Sequence, residues 1–147
     1  MIERVRHIGL VVSSLEVSLE FYKLLGFYEE KSLVEESEYI SHVVGIDNVK
    51  MKWSKIRQGD YLVELIQYIR PQICNVDDRY SANRIGFSHM AFQTKDIEAT
   101  VRKILDNGGS SISYPRINDE NTFYVCYVRD PDGNIIELVQ SVASVAR

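Results

Sequence analysis

The sequence is short of the residue types that mark several classes of protein. It has two cysteines, three prolines and one tryptophan among 147 residues. Cys74 and Cys126 are too few for a disulfide-stabilised secreted domain, so we expect a protein of the reducing cytoplasm. No apolar run approaches the roughly 20 residues that cross a membrane, and the N-terminus lacks the apolar core of a signal peptide. Basic residues are not in excess, because the formal net charge is −4, and a nucleic-acid surface is therefore not expected.

The sequence does contain an internal repeat. Residues 89–109 align without a gap on residues 7–27, which places His89 on His7 and Gly108 on Gly26. We therefore predict a single domain over residues 1–147, built from a first module at 1–68, a linker at 69–85 and a second module at 86–141. Neither module alone is long enough to bury much apolar surface, so we expect the two to pair.

Each half contains one predicted helix after its first strand. The first helix follows a candidate capping box, Ser13 with Glu16, and ends at Gly26. The second begins at a candidate N-cap, Asp96. Apolar residues recur along the second helix with helical spacing and predict its buried side: Ile97, Val101, Ile104 and Leu105.

The rest of each half reads as strands and loops. Residues 35–48 are acidic without a clear period and predict an irregular loop, whereas residues 110–114 and 122–128 predict strands. Each half thus has the order strand, helix, three strands. That order is typical of an α+β fold.

A glutamate interrupts the apolar closing strand of each half. Residues 61–67 contain Glu64, and residues 134–139, after an Asp-Pro-Asp-Gly turn, contain Glu137. A carboxylate in a strand buried on both faces must be protonated, paired or bound to a cation. In an edge strand it would lie in water, and this alternative stays open for either residue taken alone.

Two histidines complete the candidate site. His7 and His89 stand in the first strand of each half, where a single histidine is more often a hydrogen-bonded structural residue than a ligand. Side chains alternate along a strand, so helices on the apolar faces would leave both histidines and both glutamates on the other side of the sheet. A pseudo-twofold repeat would bring His7, Glu64, His89 and Glu137 toward one cavity. Two imidazoles and two carboxylates suit a divalent ion of Fe, Mn, Co, Ni or Zn.

Such a ligand set predicts a particular chemistry. Four protein ligands leave two positions of a six-coordinate ion open, and a small substrate with two adjacent oxygens can occupy both. The ion then acts as a Lewis acid, which lowers the pKa of a C–H bond beside a carbonyl. A carboxylate that leaves the ion can remove the proton.

Several segments together resemble the vicinal oxygen chelate superfamily, which includes glyoxalase I, methylmalonyl-CoA epimerase, extradiol dioxygenases and bleomycin-resistance proteins. The segments are His7-Ile8-Gly9-Leu10-Val11-Val12, Leu19 to Phe27, Val63-Glu64-Leu65, His89-Met90-Ala91-Phe92 and Asp130 to Leu138. The resemblance implies paired βαβββ modules in a curved mixed sheet around a metal cavity, with His7, Glu64, His89 and Glu137 as metal ligands. It also implies Glu137 as the catalytic base, Glu64 as its symmetric partner, and a homodimer.

Within this superfamily the residues favour a glyoxalase-like lyase or isomerase. Bacterial-type glyoxalase I has an Arg and an Asn that contact glutathione where this chain has Val11 and Tyr68, which argues against a glutathione hemithioacetal substrate. Two alternatives stay open: an Fe(II) extradiol-type dioxygenase on the same ligands, and a non-catalytic protein that binds a drug-like small molecule. His42, in the predicted loop, is a further acid or base candidate if that loop covers the metal.

Overall fold

Two mixed β-sheets with short helices packed on them make up the structure. It is a computed structural model that describes residues 1–73, 81–83 and 85–142. The chain divides into two units, Met1–Val76 and Asp77–Arg147, and each contains one sheet. The α+β class predicted from the sequence is confirmed. Cys74 and part of the predicted linker lie outside the described residues, and the module boundaries stay a prediction.

The described residues of the first unit form four strands and two helices. Their bounds are β1 Ile8–Val11, α1 Leu15–Leu24, β2 Tyr28–Glu35, α2 Glu38–Val44, β3 Lys50–Gln58 and β4 Tyr61–Arg70. The strand order is β1-β4-β3-β2, in which β1 is parallel to β4 and the other neighbours are antiparallel. Helix α1 packs on β3 and β4 and buries Leu15, Phe21 and Tyr22. The strand that carries Glu64 is therefore internal to its sheet.

In the second unit, the part of the chain that the structure describes forms one helix and five strands. Their bounds are β5 His89–Gln93, α3 Ile97–Asp106, β6 Ser110–Ser111, β7 Arg116–Ile117, β8 Phe123–Arg129 and β9 Ile135–Ser141. The strand order is β5-β9-β8-β6, with β7 also paired to β8, and β5 runs parallel to β9. The strand that carries Glu137 is again internal. Within the described residues, no helix is long and apolar enough to cross a membrane.

The two ten-residue helices begin with the same kinds of contact. Ser14 caps α1 and Asp96 caps α3, each side chain accepting a hydrogen bond from an amide of the first turn. A glutamine accepts from the first helical amide, Gln67 at 2.8 Å in α1 and Gln140 at 2.7 Å in α3. Both glutamines belong to the strands that carry the glutamates, so those strands also fix where the helices start. The predicted cap Asp96 is confirmed, whereas Ser13 is wrong by one residue.

The prediction of an irregular loop at 35–48 is wrong, because the segment contains α2. Ser37 caps this helix by accepting from the Ile40 amide at 3.2 Å, and Gly45, at φ 69°, ends it in the left-handed region that glycine tolerates. Ile40 is buried against three residues that follow it in the chain: Val49, Met51 and Trp53. A helix of seven residues is too short for its period to stand out in a sequence, and tertiary packing stabilises it.

Two further expectations are wrong in the second unit. The strand predicted at 110–114 stops after Ser111, because the amides of Ile112 and Ser113 both donate to the Tyr127 carbonyl and so interrupt the ladder. Leu105 is 44% exposed at the edge of the helical stripe. The other members of the stripe are buried as predicted: Ile97, Val101 and Ile104.

Cys126 lies in β8, and the burial of its thiol predicts a pH-dependent stability. The thiol is 2% exposed, and burial, assisted by the charge of Glu98, raises its pKa from 9.0 to about 11. An unfolded chain releases this proton near pH 9, whereas the folded chain keeps it, so stability falls as pH rises from about 9 to 11. In a Cys74→Ser background, we expect the free energy of unfolding to drop by roughly 2 kcal/mol more over this range than it does after Cys126→Ala.

Urea unfolding at intervals from pH 8 to pH 11 measures this difference. Cys126→Ala leaves every other titratable group in place, so the difference in slope between the two proteins reports on Cys126. Equal slopes in the two proteins would contradict the assignment.

Candidate active site

His7 and Glu64 come together in the first unit. Glu64 lies in β4 with Gly9 of β1 as its strand partner, and His7 stands two residues before that glycine. His7 Nε2 is 3.3 Å from Glu64 Oε2, and the two side chains are 33% and 17% exposed. The pair is thus half-buried but open to small solutes.

His89 and Glu137 come together in the second unit with the same register. Glu137 of β9 is the strand partner of Ala91, and His89 stands two residues before that alanine. His89 Nε2 is 2.7 Å from Glu137 Oε2, and the side chains are 28% and 22% exposed. A parallel strand pair at this register sets the imidazole beside the carboxylate in each unit.

In both units the pair stands on the sheet face away from the helix. Val63 and Leu65 flank Glu64 and are 4% and 0% exposed on the side of α1. Ile136 and Leu138 flank Glu137 and are similarly buried on the side of α3. Because neighbouring residues of a strand point to opposite faces, both glutamates project away from the helical layer.

The residue opposite Glu64 on the neighbouring antiparallel strand is Lys55, which sequence reasoning missed. Lys55 and Glu64 are directly paired between β3 and β4. Lys55 Nζ lies 3.6 Å from Glu64 Oε1 and 5.0 Å from the centre of the Trp53 ring. The ammonium group is therefore held between a carboxylate and an aromatic face.

The residue opposite Glu137 is a tyrosine, which sequence reasoning also missed. Tyr127 and Glu137 are directly paired between β8 and β9. Tyr127 Oη lies 3.3 Å from His89 Nδ1, and Ser88 Oγ lies 3.1 Å from the same nitrogen. Burial, and then the neighbouring Glu137 charge, raise the pKa of Tyr127, so its hydroxyl is neutral at ordinary pH.

Strand register is the signal that could have found both residues. Gln58 and Tyr61 pair on either side of the Gly59–Asp60 turn. Three further steps along both strands, away from the turn, place Lys55 opposite Glu64. Gly59-Asp60 is itself a turn signal in the sequence. The hairpin around the Asp-Pro-Asp-Gly segment is harder to count, because its five-residue connection must be known before Arg129 can be paired with Ile135.

The spacing within each His–Glu pair is compatible with two neighbouring ligands of a divalent metal. Adjacent ligand atoms of one ion with bonds of about 2.0–2.2 Å lie roughly 3 Å apart, and the two imidazole–carboxylate distances are 3.3 and 2.7 Å. Each unit supplies one nitrogen and one carboxylate, a donor set that suits Fe, Mn, Co, Ni or Zn. Within either unit, the described His, Cys, Asp and Glu residues form no group of three or more. One pair alone therefore gives only half of the predicted ligand set.

His42 lies elsewhere in the first unit, in α2. It lines a cleft of about 620 Å³ together with polar residues, among them Glu36, Glu38, Asp47 and Arg70. Neither His7 nor Glu64 lines this cleft. The cleft that His42 lines is therefore separate from the His7–Glu64 pair.

Comparison with known proteins gives the family. A family model described as Glyoxalase/Bleomycin resistance protein/Dioxygenase superfamily matches residues 6–127. A probable lactoylglutathione lyase from Vibrio cholerae is 28% identical over 94% of this chain and 91% of that protein. A probable lactoylglutathione lyase from Synechocystis is 39% identical over 44% of this chain, and the match spans 48% of that protein's length.

A solved structure supports the same grouping at the level of the fold. A glyoxalase family protein from Bacillus cereus superposes with a TM-score of 0.88 at 23% identity, covering 97% of each chain. The family match extends from before His7 to Tyr127, and it includes both histidines and Glu64. The chain belongs to the Glyoxalase/Bleomycin resistance protein/Dioxygenase superfamily.

Proposed function

We propose that this protein is a metal-dependent lyase or isomerase that removes a proton beside a carbonyl group of a small substrate. His7, Glu64, His89 and Glu137 hold one divalent ion of Fe, Ni, Co, Mn or Zn. Glu137 is the catalytic base, and Glu64 is its symmetric partner. The proposal includes the homodimer that the family resemblance implies and a cytoplasmic location.

One observation carries the proposal: each unit contains the same His–Glu pair at the same strand register. In each unit the glutamate pairs with a residue of the neighbouring parallel strand, Gly9 or Ala91. The histidine stands two residues before that partner. In both units an imidazole Nε2 faces a carboxylate oxygen on the face away from the helix. A single pair is explained by a structural hydrogen bond. Its repetition at the same register is what supports a shared ligand role.

When bound, the ion supplies Lewis-acid polarisation of two adjacent substrate oxygens. The chain's own residues do the rest. The Glu137 carboxylate accepts the proton from carbon; in an isomerase it returns the proton to the same or a neighbouring atom, and in a lyase it gives the proton to the group that departs with the electron pair of the broken bond. Tyr127 and Ser88 hold the other nitrogen of His89, which keeps its Nε2 directed at Glu137. Lys55 forms an ion pair with Glu64, whereas the residue opposite Glu137 is a neutral tyrosine. Because the residue opposite Glu137 carries no such positive charge, this difference favours Glu137 as the base.

The substrate proposed is a small compound with two adjacent oxygens. The name lactoylglutathione lyase, which both relatives carry, supports a lyase. Val11 and Tyr68 stand where the resemblance expects the glutathione contacts. Tyr68 packs against the apolar cluster formed by Ile40, Val49, Met51 and Trp53. An apolar packing role for Tyr68 supports a substrate that lacks the glutathione moiety.

Metal content tests the proposal. We expect protein purified without a metal-affinity tag to contain about one ion per chain by elemental analysis. His7→Ala and His89→Ala should each lower the content at least about tenfold, since removing a metal ligand weakens the site strongly. His42→Ala is the matched control, because it removes a histidine that lies outside both pairs, and it should keep the ion.

Each other result changes the conclusion. A variant that loses one histidine and keeps the ion would contradict the four-ligand set. Iron, together with oxygen consumption, would favour a dioxygenase. No ion in the wild-type protein, and no thermal shift on adding any of the five metals, would overturn the enzyme proposal in favour of a binding protein.

A further inference from the structure

Lys55 stands at the first His–Glu pair without any counterpart in the second. The position opposite Glu64 is a lysine, and the position opposite Glu137 is Tyr127. The repeat therefore places a positive charge beside one proposed ligand and a neutral hydroxyl beside the other. A cation beside a metal ligand opposes metal binding. Lys55 therefore does not help to hold the ion, and a different role must be sought for it.

A second lysine lies on the same face. Lys31 of β2 is the direct strand partner of Lys55, and their ammonium groups lie 5.8 and 5.0 Å from the centre of the Trp53 ring. Like charges at directly paired positions destabilise a sheet. The Trp53 ring and Glu64 offset this cost. Lys55 beside the half-buried His7–Glu64 pair and Lys31 on the neighbouring strand give this face positive charge that favours a negatively charged group. Glu35, which accepts from Trp53 Nε1 at 2.8 Å, offsets part of that charge.

We propose that Lys55 is a specificity-determining residue that binds a negatively charged oxygen of the substrate. Lys55 Nζ lies 3.6 Å from Glu64 Oε1 and over the Trp53 ring, so it would meet a substrate bound beside the His7–Glu64 pair. The substrate is then a small carbonyl compound that carries a carboxylate. This inference rests on the function proposed above.

The contacts of Lys55 leave its hydrogen-bond donors available to a substrate. An ammonium group has three donors, and the Glu64 contact, at 3.6 Å, is an ion pair too long for a hydrogen bond. The Trp53 ring holds the ammonium in place. A donor would meet an incoming carboxylate at a side chain that is only 24% exposed, where charge-assisted hydrogen bonds are stronger than in water.

Zinc affinity tests the first half of the inference, measured by competition with a chromophoric chelator after metal removal. We expect Lys55→Met to bind Zn²⁺ about tenfold more tightly than the wild type, because a competing charge is gone. Lys52→Met is the matched control. Lys52 lies on the same strand, is also 24% exposed and also pairs with a glutamate, but its partner is Glu16. We expect its Zn²⁺ affinity to stay within about twofold of the wild type.

Oxalate binding to the zinc-loaded proteins, measured by calorimetry, tests the second half. Oxalate offers two adjacent oxygens and negative charge. We expect Lys55→Met to bind oxalate about tenfold more weakly despite its tighter zinc, and Lys52→Met to match the wild type. Lys55→Arg keeps the charge and should restore most of the oxalate affinity. This variant therefore distinguishes loss of the charge from misfolding of Lys55→Met.

The outcomes separate this inference from the function on which it rests. No zinc uptake by the wild type would overturn both. Zinc uptake with equal affinities for zinc and oxalate in Lys55→Met and Lys52→Met would overturn only the role of Lys55. Lys55 would then be a structural ion pair, and its loss would change thermal stability alone.

Discussion

Glu137→Gln should lower the rate of proton removal from carbon by about 10²–10⁴-fold, the contribution typical of a positioned general base. The amide keeps the shape of the side chain but cannot accept the proton. Hydrogen–deuterium exchange at the carbon beside the carbonyl of hydroxypyruvate, followed by proton NMR in D₂O, measures the step directly. The rate is expressed per bound ion, because either glutamate variant can also lose metal.

Glu64→Gln is the control for this prediction. It removes the same charge from the proposed ligand set, but its carboxylate is the one paired with Lys55. We therefore expect Glu64→Gln to lower the exchange rate per bound ion by no more than about tenfold. Equal losses in the two variants would contradict the assignment of Glu137 as the base, and a larger loss in Glu64→Gln would exchange the two roles.

Gly109→Ala should produce the largest loss of stability for so small a change. A Cβ atom at this position would lie 2.5 Å from the Arg129 carbonyl oxygen and from Ile104 Cγ2, and 3.0 Å from the Ile104 carbonyl oxygen. Two of these neighbours are backbone atoms, and Ile104 is 1% exposed. The Arg129 carbonyl cannot move aside without displacing β8, and the Ile104 atoms cannot move aside without displacing α3. We therefore expect the free energy of unfolding to fall by about 3 kcal/mol or more.

Gly9→Ala is the control for steric crowding. Its added Cβ would meet only Ile66 Cδ1, at an ordinary 3.7 Å. We expect a change in the free energy of unfolding within about 1 kcal/mol. Urea denaturation followed by circular dichroism compares both variants with the wild type. A Gly109→Ala protein as stable as Gly9→Ala would show that α3 and β8 can separate at little cost.

The sheet face that carries the candidate residues could be predicted from the sequence because its signals are local. Alternation along each strand assigns Glu64 and Glu137 to the face away from the helices, and the repeat relates His7 to His89. The structure shows each histidine beside its glutamate within one unit. Whether all four share an ion stays a prediction, which the metal measurement tests.

The incorrect predictions share a cause: each concerns a segment whose structure depends on contacts with residues distant in the sequence. Helix α2 was missed because its stability comes from Ile40 packing on Met51 and Trp53. The strand at 110–114 was predicted too long because two amides share the Tyr127 carbonyl. Propensity and pattern report on neighbours in the chain, and they carry no information about which strand a segment meets.

The sequence by itself determined the α+β class, the strand-then-helix opening of each half and the residues proposed as ligands, whereas the extra helix α2 and the fourth strand after α3 depart from the predicted order. These follow from the period of apolar residues and from a gapless internal match, both of which are properties of the chain alone. Only the tertiary structure decided which residues surround each ligand pair. Lys55 and Tyr127 reach their glutamates through strand register, and Gln67 and Gln140 reach the helix starts in the same way. Register is set by the pairing of whole strands over a buried face, so it exists only in the folded molecule.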